Sequence, residues 1–190
     1  MFHAISEKIA DFIISENEDQ KDEREIMVYG IEVFISDLVN FIVVLLTGLL
    51  FGYILCSLVF FISFAVLREK TGGYHANTHL KCNMVLAINT VLVMLVITWL
   101  TDKDYMQYIV VAAAVFSGIV IGIFSPRDNV NKRLDGYSKR KNKIQSLIIY
   151  VVLGIIIVIF WALGYRAYSL TVSLSMLSVA IALMVKMKDR

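Results

Sequence analysis

Six nearly unbroken apolar runs, near residues 31–50, 53–67, 84–100, 105–125, 145–164 and 167–186, are separated only by short charged segments. A helix crosses a bilayer with about 20 mostly apolar residues, so each run is a candidate span. The second run is short and is expected to share a tight turn at Gly52-Tyr53 with the first. Hydrophobic residues make up 58% of the chain, above the roughly 45–50% usual in soluble domains. A membrane β-barrel would alternate apolar and polar residues, whereas Val110 to Phe124 and Ile144 to Leu163 are continuously apolar or small. The expected class is therefore all-α: a polytopic membrane protein with about six transmembrane helices and an N-terminal amphipathic helix, forming one domain over 1–190.

Basic residues near span ends stay on the cytoplasmic side. With both termini cytoplasmic, sixteen of the eighteen Lys and Arg residues fall on that side, and only Lys103 and Arg166 lie opposite. No cleavable signal peptide is expected, because residues 1–26 hold eight acids and no apolar core segment. Within 1–26, Phe2, Ile5, Ile9, Phe12 and Ile13 recur at helical spacing, which fits a helix lying on the membrane surface or a solvated tail. The acidic run from Glu16 to Glu25 favours a solvated link. Glu32 and Asp37, five residues apart, either face a polar interior or sit among headgroups if the span begins near Leu38. Pro126 cannot continue a helical ladder, so it is expected to end the fourth span and open a basic loop, 126–143, that orients the chain or attracts anionic lipid or an acidic peptide.

The chemistry concentrates in residues 68–83, Arg-Glu-Lys-Thr-Gly-Gly-Tyr-His-Ala-Asn-Thr-His-Leu-Lys-Cys-Asn, on the expected cytoplasmic side. Cys56 lies inside an apolar run and Cys82 at a reducing boundary, so no structural disulfide is expected. A cysteine attacks as thiolate, and a neighbouring imidazole can take the thiol proton and return it to a leaving amine. Cys82 is the candidate nucleophile; His75 and His79 are the candidate bases. On a straight helix His79 and Cys82 are neighbours, whereas His75 stands about 10 Å away along the axis. Spacing therefore favours His79, unless Gly72-Gly73 unwinds the segment. A zinc-dependent membrane hydrolase using His75, His79 and Cys82 is also open, though a fourth ligand and an HExxH pattern are missing. Without such chemistry, the two histidines and Cys82 are ordinary boundary residues.

Arg68, Gly72-Gly73, His75 and Cys82, followed by a polar-to-apolar turn into a third span, resemble the signature of the accessory gene regulator B family of bacterial membrane cysteine peptidases. Chain length, the multi-span pattern, and Pro126 with its basic loop extend the likeness over nearly the whole chain. The resemblance implies a catalytic dyad of His75 and Cys82, in place of the spacing choice of His79. It assigns Arg68 and Gly73 to substrate-tail contact and loop conformation, with Lys81 a further candidate for catalytic support. Asn77, Asn83 and Glu69 are near enough in sequence to orient the imidazole, and backbone N–H groups near Cys82, Lys81 or Arg68 could hold an oxyanion.

The substrate implied is a precursor signal peptide with an amphipathic helix and an acidic tail. The tail is removed through an acyl-enzyme thioester, and an internal cysteine closes a thiolactone. The same resemblance implies a bacterial cell-membrane protein, contact with membrane lipids, a homodimer, no cofactor or metal, and no nucleic-acid partner. Two other classes remain: a small transporter or export component, for which no internal repeat is evident, and an adaptor recruiting an acidic partner through Lys139 to Lys143.

Overall fold

In the computed structural model, residues 2–16, 24–72, 79–127 and 135–185 are described. They form seven helices: α1 (Phe2–Glu16), α2 (Arg24–Leu50), α3 (Ile54–Thr71), α4 (His79–Leu100), α5 (Met106–Phe124), α6 (Gly136–Ala162) and α7 (Arg166–Met184). There is no named strand among the described residues, where Gly72 and Arg127 make an isolated parallel bridge. Five helices are long and apolar enough to cross a membrane: α2, α4 from Cys82, α5, α6 and α7. Their outward faces carry Leu49, Val111, Ile123 and Val158 in exposed positions, which suits a solvent of lipid tails. This is a multi-pass, all-helical membrane protein.

The expected sixth span is α3, and it stands apart from those five. Its apolar part, 54–67, is fourteen residues, about 21 Å at 1.5 Å per residue, against a hydrocarbon core of about 30 Å. Arg68, Glu69 and Lys70 fill its last turn. The expected turn at Gly52-Tyr53 is present: Gly52 adopts φ 74° and Tyr53 N–H donates to Gly48 O at 2.8 Å. Glycine meets that positive φ without the clash a Cβ would bring.

Two boundaries differ from expectation. α2 begins at Arg24 rather than near 31, so Glu32 and Asp37 lie well inside a helix instead of at its start. α6 begins at Gly136 rather than near 145, so Lys139, Arg140, Lys141 and Lys143 are helical and the expected basic loop 126–143 is shorter. The cause is a helix cap: the Asp135 carboxylate accepts from Ser138 N–H at 3.1 Å, satisfying one of the first-turn donors that a helix leaves unpaired. That bond holds the Asp135 carboxyl below its ordinary range. Lys and Arg are good helix formers, and Lys143 reaches back to donate to the carbonyls of Ile121 and Gly122. Pro126 acts as expected, α5 ending at Phe124 ahead of the cis Ser125–Pro126 bond.

The chain divides into two compact units, Met1–Val43 with Ala76–Ala87, and Val44–His75 with Ile88–Arg190. In the second unit α7 is the central helix, packed on α3, α5 and α6. Some 61% of its span is buried, against 17–39% for the other four. Burial of so many serines and threonines is tolerable because their hydroxyls bond the helix's own carbonyls, as Thr171 to Ala167 O and Ser175 to Val172 O do. Small residues also let neighbouring backbones approach where no water drives association. Tyr150 Oη donates to Ala114 O at 3.0 Å and Ser125 and Ser146 pair at 2.8 Å, each tying the α5 region to α6.

Candidate functional site

In the second unit, the way into the 68–83 segment is built at the end of α3. Arg68 sits one turn after Phe64, its guanidinium 5.4 Å from the ring centroid, a cation–π distance that keeps the charge at the helix end. Gly72 then leaves the helix at φ 68°, ψ −146°, while its N–H still donates to Arg68 O. That combination is essentially confined to glycine. Arg127, directly after Pro126, donates its backbone N–H to Thr71 O at 3.0 Å. Its guanidinium donates to the carbonyls of Leu183 and Val185 at the end of α7. One residue thus pins both the exit from α3 and the end of α7. Sequence reasoning gave Arg127 no such role; the one local hint is a cation placed directly after the only proline.

The helix break expected at Gly72-Gly73 begins at Gly72. Gly73 and His75, together with Asn77, lie outside the described residues. The chain resumes at α4, whose first turn runs from His79 to Cys82. The backbone therefore keeps His79 and Cys82 three apart on one helix, as spacing required. Cys82 is a free, half-buried thiol. Among the described residues no group of three or more His, Cys, Asp or Glu is disposed to hold a metal, and the zinc set considered above includes His75, which is not among them. Glu69 is largely exposed and paired with its neighbour Lys70.

In the first unit, Asn83 follows Cys82 and is buried, 9% exposed. Its Oδ1 accepts from Ser36 Oγ, on α2, at 2.9 Å. Its Nδ2 has no hydrogen-bond partner among the described residues. Ser36 is a polar residue inside an apolar run and was missed by sequence reasoning. In the same unit α1 is tied to α2 by Arg24 Nε donating to Asp11 Oδ1 at 2.7 Å, and by His3 Nδ1 3.5 Å from Glu32. The Arg24 bond holds the Asp11 carboxyl below its ordinary range. Ser6, Ala10 and Ile14 are buried, whereas Ile5, Ile9, Phe12 and Ile13 are exposed. A cleft of about 370 Å³ lies among His3, Glu7, Arg24, Val28, Tyr29 and Glu32. Glu32 thus faces α1, while Asp37 is exposed.

The family model for accessory gene regulator B matches residues 6–184. The chain belongs to the accessory gene regulator B family. An AgrB-like protein of Clostridium perfringens (strain SM101) is 28% identical over 178 residues, covering 87% of this chain and 81% of the relative. The accessory gene regulator protein B of Staphylococcus carnosus is 28% identical over 128 residues, 67% of this chain and 65% of the relative. An AgrB-like protein of Listeria monocytogenes (strain HCC23) is 27% identical over 139 residues, 72% and 67% respectively. No solved structure matches the chain. Membership of the accessory gene regulator B family gives the chain a role in accessory gene regulator quorum sensing, a system linked to peptide processing.

Proposed function

We propose that the chain is a membrane cysteine endopeptidase that removes the C-terminal tail of a quorum-sensing propeptide and prepares its cyclisation. The observation that carries this reading is the family match across residues 6–184, which includes a free, half-buried Cys82 at the first turn of α4. The seven-residue spacing lets His75 serve Cys82 only if the segment between them is not a straight helix.

In this mechanism His75 takes the Cys82 proton, and Sγ attacks the carbonyl carbon at the end of the signal sequence. The tetrahedral intermediate collapses, the C–N bond breaks, and the departing tail amine takes the proton from the imidazolium. An acyl-enzyme thioester remains. A thiol within the peptide loses its proton to His75 and attacks that thioester, forming the ring and returning the Cys82 thiol. Exchange of one thioester for another is near neutral, so loss of the tail or onward export drives the sequence. Water must be excluded, because hydrolysis competes with ring closure. Arg68 and the helical Lys139, Arg140 and Lys141 supply charge complementary to an acidic tail, and Gly73 and Lys81 are the remaining support candidates. The same reading has α3 as a sixth span, both termini and the 68–83 segment cytoplasmic, α1 lying against lipid, and a homodimer.

Co-expression with the propeptide encoded beside the gene, followed by mass analysis, tests the proposal. Wild type yields a released tail and a cyclic product or acyl-enzyme; Cys82→Ala and His75→Ala yield neither, and His79→Ala retains cleavage. Normal cleavage by both Cys82→Ala and His75→Ala overturns it.

A further inference from the structure

We propose that a cavity at the start of α7 binds the headgroup of a zwitterionic phospholipid, with Arg166 taking the phosphate and Asp102 the primary ammonium. The cavity holds about 450 Å³ and its lining includes Thr101, Asp102, Gly164, Tyr165, Arg166 and Tyr168. That volume is within the roughly 300–1,000 Å³ of small-molecule sites. It lies wholly in the second unit, where the spans α4 and α6 end at Leu100 and Ala162 and α7 begins at Arg166. The opposite end of α7 is the one that Arg127 holds through the carbonyls of Leu183 and Val185. The 19 residues of α7 rise about 28 Å at 1.5 Å each, close to a hydrocarbon core of about 30 Å. The cavity therefore sits at the bilayer boundary opposite the Gly72–Arg127 bridge. Trp99, Leu163 and Tyr165 are exposed at the same ends of the helices, in keeping with the aromatic belt found at headgroup depth.

The charges select the ligand. The Arg166 guanidinium lies over the Trp161 ring, 5.7 Å from its centroid, a cation–π distance that steadies it without using its N–H donors. Among the described residues the ion pairs all lie elsewhere, so Arg166 and Asp102 line one cavity without pairing with each other. A purely anionic ligand drawn to Arg166 meets the Asp102 carboxylate, and a purely cationic one meets the guanidinium. A phosphoethanolamine headgroup carries both charges, two carbons apart. Its phosphate oxygens suit the planar fork of an arginine, and its ammonium donates N–H groups to a carboxylate. A choline headgroup has the same two charges but no N–H to donate. The depth of the cavity decides the source, because acyl chains carry a lipid headgroup to this boundary. The bound headgroup then links Asp102, at the end of α4, to Arg166, at the start of α7.

Native mass spectrometry tests the site. The purified full chain is released from micelles doped with dioleoyl phosphatidylethanolamine, phosphatidylcholine or phosphatidylglycerol, and retained lipid is measured for wild type, Arg166→Gln, Asp102→Asn and Lys103→Gln. Arg166 and Asp102 are both exposed, so these variants keep the fold. Wild type is expected to hold phosphatidylethanolamine about tenfold more tightly than either other lipid, the effect of one hydrogen bond to a charged group. Arg166→Gln is expected to weaken the ethanolamine and choline lipids together by about tenfold, because the phosphate contact is common to both. Asp102→Asn is expected to abolish the preference for ethanolamine over choline. Lys103→Gln removes a neighbouring charge that does not line the cavity and is expected to change nothing. Inorganic phosphate in large excess is expected to leave the lipid bound; its displacing the lipid would mark a site for a free anion and overturn the proposal. Equal retention of the ethanolamine and choline lipids by wild type also overturns it, as does tighter binding of phosphatidylglycerol or an ethanolamine preference that survives in Asp102→Asn. A loss in Lys103→Gln as large as that in Arg166→Gln overturns it too, because surface charge in general would then account for the binding.

Discussion

Gly72→Ala puts the exit from α3 under direct strain. Gly72 stands at φ 68°, ψ −146°, and holding an L-residue in so sparsely populated a region costs about 1–3 kcal/mol. A Cβ there would also overlap the backbone carbonyl oxygen of Arg127, well inside the 3.0 Å that real Cβ contacts keep. Backbone cannot swing aside as a side chain does, so the bridge must open, and the Arg127 N–H to Thr71 O bond of 3.0 Å is lost with it. A backbone hydrogen bond contributes about 0.5–1.5 kcal/mol net. Together the paired state loses about 2–4 kcal/mol, roughly 30- to 1,000-fold in population. Gly52→Ala is the control, because Gly52 shares a positive φ of 74° but has nothing within 4 Å of an added Cβ. It isolates the conformational cost from the clash.

Hydrogen exchange at the Arg127 amide, in nanodiscs, reads the bridge directly. Protection is expected to collapse in Gly72→Ala and to persist in Gly52→Ala. The tail-cleavage assay is expected to fall with it, since the 68–83 segment then leaves α3 along a different path. Unchanged protection of the Arg127 amide in Gly72→Ala would refute the reasoning, whatever happened to activity.

Two further outcomes follow from the packing and the charges. Gly118→Ala is expected to destabilise the α5–α6 contact by about 1–3 kcal/mol, because an added Cβ would sit 3.2 Å from one Tyr150 ring carbon and closer still to its hydroxyl end; thermal unfolding in detergent should show most of that loss vanishing in a Tyr150→Ala background. The Asp11 carboxyl is depressed by its bond from Arg24, so the contribution of this pair is present above the ordinary carboxyl range near pH 4 and is lost as pH falls through the depressed value. Exchange protection of α1 should therefore weaken below about pH 4 and be weakened at neutral pH by Arg24→Gln; flat protection across that range would show that the pair does not hold α1.

Much of the helical framework is legible in local sequence. Apolar runs of spanning length identified the helices, Gly52 identified the α2–α3 turn, Pro126 the end of α5, and Gly72 the exit from α3. These are local properties, set by backbone sterics and by the cost of unpaired peptide groups in lipid. Boundaries carried by a cap were harder, because the lysines and arginines at the start of α6 look like a loop until Asp135 is seen to cap a helix.

The amino-acid sequence by itself determined that this chain is a helical membrane protein and which family it belongs to. Tertiary structure alone decided that α7 is the central helix of the second unit, that Arg127 pins Gly72, and that Ser36 donates to the Asn83 amide oxygen. Lipid-facing and interior side chains are equally apolar, so composition cannot tell a surface helix from a central one. Partners 47 residues apart for Asn83 and 56 for Arg127 leave no trace in local periodicity; only the folded chain brings them within bonding distance.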